Sequence, residues 1–201
     1  MLPRRNTVVV PLHLQNEVIH PDGAIHAGFG GPEGDRGPFL EAAATVINRA
    51  RAAAVPLVYV RMVFQAGGVD LPDNCELYRT VKHGEVMREG SWGVQFFDGL
   101  EPEPGTDTVV SHNRVNAFYD TPLAQILADL DCTHLVLFGV ATHSVVEHTA
   151  RHAADMGLVV TLVDDACSAF PRTRHDASLA AVDNLVTRLP AARLEFQHDD
   201  T

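Results

Sequence analysis

Four nearly unbroken apolar runs divide the chain: Thr7–Leu12 (TVVVPL), Leu57–Val63 (LVYVRMV), Leu135–Val140 (LVLFGV) and Leu158–Val163 (LVVTLV). Polar residues do not alternate with apolar ones in them, as expected for strands of a parallel sheet covered on both faces by helices. Thr108–Ser111 and Arg193–Gln197 read as two shorter strands. Between the runs the period changes to that of a helix. Phe39–Ala54 places Leu40, Ala43, Val46, Ile47 and Ala50 on one side, and helices are also predicted over Thr121–Leu130, Ser144–Met156 and Arg174–Leu189. Gly157 stands just past the third of these, where a helix stop belongs. Strands alternating with helices in this way predict one three-layer, Rossmann-like α/β domain over residues 1–201 with a mostly parallel central sheet.

Two stretches lack a clear period. His20–Gly37 is rich in Gly, Pro and Asp and reads as a loop. Residues 64–105 carry Gly67, Gly68, Pro72, Gly84, Gly90, Gly93, Pro102 and Pro104, and a segment this long suggests an active-site lid or an oligomer contact.

Charge narrows the partners. The net charge is −11 and no basic block is present, which argues against nucleic acid and anionic membranes. No stretch approaches the roughly 20 apolar residues needed to span a bilayer. Cys75, Cys132 and Cys167 have unrelated spacings, so they form neither a disulfide framework nor a zinc signature, and a reducing cytoplasm is expected.

The chemistry gathers where strands end. His13, His112 and His143 each fall at or just beyond the carboxyl end of a strand, the edge along which open α/β sheets bind ligands. Any one of them alone reads more readily as a satisfied structural residue than as a catalyst. Together they offer imidazoles with a reference pKa near 6.5, suited to acid–base work near neutrality. A facing pair would divide its titration, one ring protonated and one neutral. Three His would also suit a divalent ion with an open position.

Four motifs carry a resemblance. Gly139-Val140-Ala141-Thr142-His143-Ser144-Val145-Val146, Leu12-His13-Leu14-Gln15-Asn16-Glu17, Glu89-Gly90-Ser91-Trp92-Gly93 and His112-Asn113-Arg114-Val115-Asn116-Ala117-Phe118 are similar to the motifs of the isochorismatase-like superfamily, often called cysteine hydrolases. The resemblance spans roughly residues 6–197. It implies the three-layer fold and a hydrolase acting on a small molecule, with no cofactor, as a homodimer or homotetramer. In the cysteine branch an Asp, a Lys and a Cys form the catalytic triad. These positions fall on His13, His112 and Val145, so the thiolate mechanism is not expected. The isochorismatases proper also lack the Cys and resemble this chain in a His at position 143. The metal site of the nicotinamidase type follows the second strand, and Arg61–Gly67 does not match it, so no metal is expected.

The resulting expectation is a cysteine-free enzyme acting on a small polar metabolite, cleaving a C–O or C–N bond by acid–base catalysis with His13, His112 and His143. Gln15, Trp92, Arg114 and Phe118 would hold the substrate, and the backbone N–H groups of Ser144 and Val145 would cradle an anion. The alternatives are a biosynthetic lyase, cyclase or isomerase, or a noncatalytic relative that binds a small molecule.

Overall fold

A computed structural model describes residues 1–197. Among these residues six strands form one parallel sheet in the order β3-β2-β1-β4-β5-β6. They are β1 (Thr7–Leu12), β2 (Val58–Met62), β3 (Thr108–His112), β4 (His134–Val140), β5 (Val159–Ser168) and β6 (Thr187–Leu189). The helices are α1 (Asn16–Ile19), α2 (Gly37–Ala52), α3 (Glu76–Gly84), α4 (Leu123–Asp129), α5 (Glu147–Asp155) and α6 (Arg172–Ala181). None is long and apolar enough to cross a membrane.

The unbroken apolar runs do what their composition requires. All six residues of β1 are buried, and Leu135 to Val140 of β4 are buried with them. The two pair in full register, Val8 against Leu135 through Leu12 against Gly139. Gly139 has φ +134°, and a Cβ there would stand 2.0 Å from the Leu12 carbonyl oxygen, so β1 approaches β4 more closely than a side chain allows.

Three boundaries differ from the sequence reading. α6 ends at Ala181, and Thr187–Leu189, read as its last turn, is instead the edge strand β6. Arg193–Gln197 forms no strand of the sheet: a 3₁₀ turn at Ala191–Arg193 is followed by a single bridge from Phe196 to Leu2. The segment 64–105 contains α3, whose inward residues Tyr78 and Val81 are buried while the rest of the helix is mostly exposed. Two buried positions over nine residues make too weak an apolar stripe to stand out from the Gly and Pro around it.

β2 lies between β1 and β3, so His13 and His112 leave strands that are not neighbours.

Candidate active site

The chain turns as it leaves β1. His13 takes a left-handed conformation (φ +56°) while its N–H still donates to the Val60 carbonyl of β2. His112 closes β3, beside Met62 of β2. From these positions the two side chains reach over the end of β2 and meet, with the Nε2 atoms 2.5 Å apart and the rings 4.8 Å between centroids. Both residues are buried.

Burial sets the protonation of the pair. It holds the His13 imidazole well below its ordinary value, with repulsion from His112 acting the same way and the backbone of Val140 opposing. His112 is pushed down to about 4 by burial, although the Asn116 backbone lies close enough to favour its protonated form. Its Nδ1 has no partner of hydrogen-bond geometry. Both rings are therefore neutral at pH 7, not one charged and one neutral, and one Nε2–H donates to the other ring.

The two imidazoles open onto different spaces. His13 lies on the floor of a cavity of about 410 Å³, with Val18, Met62, Phe64, Val140 and Ala141 around it. The 24–27 loop and α3, through Leu77, Tyr78, Thr80, Val81 and Gly84, form the opposite wall and the mouth. His112 instead borders a polar cleft of about 580 Å³ with Arg61, Asp70, Glu89, Asn113 and Asp120.

The turn after β4 supplies the rest of the floor. The Val140–Ala141 peptide is cis, and Thr142–Val146 forms a π-helical turn before α5. His143 and Ser144 line the cavity. Burial lowers the His143 imidazole, helped by Arg174 and opposed by Glu147, and its Nδ1 is buried without a partner. The Ser144 N–H is committed to the Ala141 carbonyl (3.1 Å), so it is not available as an anion donor. Behind the turn, Thr142 Oγ1 meets His175 Nδ1 at 2.8 Å, and Ser178 Oγ lies 2.8 Å from Glu147 and 3.1 Å from the Thr142 carbonyl. These contacts tie the turn to α6.

Five residues assigned to substrate binding stand elsewhere. Val145 is buried in the core and off the cavity wall. Gln15 is fully buried: its amide donates to the carbonyls of Met62 (2.9 Å) and Val94 (3.1 Å) and accepts from Met62 N–H (2.8 Å). Arg114 donates to the carbonyls of Asp70 and Asn113 and lies over the Tyr78 ring. Phe118 stacks on His152 at 4.7 Å. Trp92 is 45% exposed, with its ring against His20. Gln15, Arg114 and Phe118 thus sit near the site in sequence motif but spend their polar or aromatic surface on the scaffold. Gln15→Leu is accordingly expected to lower unfolding stability by about 2 kcal/mol, since it strands Met62 N–H and two carbonyls. The shift of the urea midpoint measures it.

Two contributors were missed. His26 and one face of α3 (Leu77, Tyr78, Thr80, Val81 and Gly84) line the cavity. His26 sits in a Gly-rich loop without periodicity, and nothing in the sequence around it marks it as facing the β1 end. Among the described residues no cluster of three His, Cys, Asp or Glu has the arrangement of a metal site.

Comparison with known proteins agrees with this architecture. The isochorismatase domain matches residues 7–190. Ureidoacrylate amidohydrolase RutB of Methylobacterium radiotolerans is 31% identical over 193 residues, covering 88% of this chain and 73% of that protein. Among solved structures, N-carbamoylsarcosine amidase from Thermoplasma acidophilum superposes with a TM-score of 0.76 at 26% identity, over 94% of this chain and 99% of that one. A cysteine hydrolase from Pseudomonas syringae shares the fold with a TM-score of 0.85 at 20% identity, over 95% and 91% of the two chains.

Proposed function

The chain belongs to the isochorismatase domain family, and from that premise we propose that it is a small-molecule hydrolase working without a cysteine nucleophile, by acid–base catalysis centred on His13. The observation that supports this most directly is the imidazole pair: His13 on the cavity floor, hydrogen-bonded to His112, which borders the polar cleft. A neutral imidazole accepts a proton at one nitrogen and releases one from the other, so the pair can pass a proton between cavity and cleft. His13 would take a proton from an attacking water and return it to the leaving oxygen or nitrogen of a C–O or C–N bond. His143 would meet the polar group of the substrate. The apolar residues exposed at the surface, among them Val69, Tyr119 and Phe170, offer area for the homodimer or homotetramer that belongs to the same reading.

No thiol stands on the cavity wall. Burial raises the Cys132 thiol to about 11 and the Cys167 thiol to about 12, so neither supplies a thiolate at neutral pH. The test is turnover of a panel of neutral amides and esters, with isochorismate read as pyruvate release, before and after treatment with iodoacetamide. Hydrolysis that survives alkylation is the expected result; its loss would overturn the cysteine-free mechanism. A binding-only role is the second reading, favoured by a wall whose only aliphatic hydroxyls are those of Ser144 and the exposed Thr80, and saturable binding with no turnover across the panel would select it.

A further inference from the structure

We propose that the cavity takes a neutral, largely apolar molecule with a single hydrogen-bonding group at its reacting end, and that it rejects carboxylates; this inference rests on the cavity being the substrate site. No Asp, Glu, Lys or Arg is among the residues that line it. Its buried walls are Val18, Phe64, Val81, Met87, Val140 and Ala141, and α3 turns Tyr78 and Val81 onto the space from the other side. At about 410 Å³ it lies within the range of pockets that enclose a whole small molecule.

Few polar side chains line the cavity, and one of them is the buried Tyr78 of α3. His13, His143 and Ser144 stand together at the floor, while His26 and Thr80 are exposed at the mouth. No guanidinium lines the cavity. Arg114 is held by two backbone carbonyls over the Tyr78 ring, and Arg174 influences His143 from α6 without reaching the wall. A carboxylate entering this space would give up its hydration with no cation to replace it, whereas each methylene gains by leaving water. The chemistry therefore favours a molecule with an apolar body directed toward α3 and a carbonyl, ester or ether oxygen directed toward His143.

The distinguishing experiment reads binding without turnover. Methyl ketones from butan-2-one to nonan-2-one resist hydrolysis and carry one acceptor, and they are titrated calorimetrically beside the alkanoates of matched length. At about pH 8 free imidazoles are neutral, so a protonated His cannot mimic a cation site. Ketone affinity is expected to rise about fourfold for each buried methylene, with nonanoate bound at least about tenfold more weakly than nonan-2-one. Thr80→Trp, an exposed position at the mouth, should weaken nonan-2-one by at least about tenfold by filling the entrance, with the urea midpoint unchanged. Equal or tighter binding of the alkanoates, no dependence on chain length, or no effect of Thr80→Trp would each overturn the inference. Ketone binding as described, without turnover of any neutral ester or amide, would sustain the substrate class while removing the hydrolase reading. Hydrolysis of a charged substrate that depends on His13, with the ketones unbound, would do the reverse.

Discussion

His13→Asn is expected to lower kcat by two to four orders of magnitude, about the contribution of a positioned general acid or base, while leaving the fold intact. Asn is the suitable replacement because position 13 has φ +56°, a conformation that Asn tolerates better than most residues. It also keeps a polar, uncharged side chain beside His112 in a buried site. The substitution removes the ring that joins cavity floor to cleft, so the loss should fall on kcat rather than on binding of an unreactive ligand. His112→Asn should be milder, because His112 touches His13 and borders the cleft but does not line the cavity. Single-turnover and steady-state rates on whichever substrate the panel identifies provide the measurement. A His13→Asn enzyme within threefold of wild-type kcat would remove His13 from the mechanism.

Much of the fold was legible because burial on both faces leaves a simple trace. β1 and β4 pair residue for residue along two unbroken apolar runs, and such runs have few other uses in a chain of this charge. The trace fails where an element is only half needed. α3 buries two residues and exposes the others, so its pattern sank into the Gly and Pro of its surroundings. The strand β6 is three residues long and largely exposed, and its sequence reads as well as the last turn of a helix.

The site was legible in part, and for a different reason. A residue at the carboxyl end of a strand is placed near the ligand edge by topology alone, which brings His13 and His143 to the cavity. Strand order is not written in any one strand, so the passage of His13 across β2 to reach His112 could not be read. Nor could side-chain direction. Gln15 and Arg114 belong to motifs next to the site, yet their hydrogen bonds turn them to the backbone. The sequence also suggested a polar substrate because it counted these groups as facing inward; once they are assigned to the scaffold, the remaining wall is apolar.

The buried imidazole pair should make the protein sensitive to acid. A neutral buried His binds its proton less readily than the same residue in the unfolded chain, so below the unfolded value near 6.5 the unfolded state holds more protons than the native state. Stability is then full above about pH 6.5 and falls as the pH drops toward the folded value, which for His112 is about 4. That lowering, at about 1.4 kcal/mol per pH unit, corresponds to about 3 kcal/mol lost between neutrality and pH 4 from His112 alone. His13 shifts in the same direction and deepens the loss, although each ring's charge bears on the other and the two do not add independently. Urea midpoints of the wild type across about pH 7.5 to 4.5 should decline steeply over this window. The variant His112→Gln keeps a buried hydrogen-bonding group opposite His13 without a titrating ring, and its midpoints should fall by roughly half as much over the same range. Wild-type and variant curves running parallel would show that the neutral His pair is not what limits stability in acid, and would remove the physical basis for two uncharged rings in the buried pair.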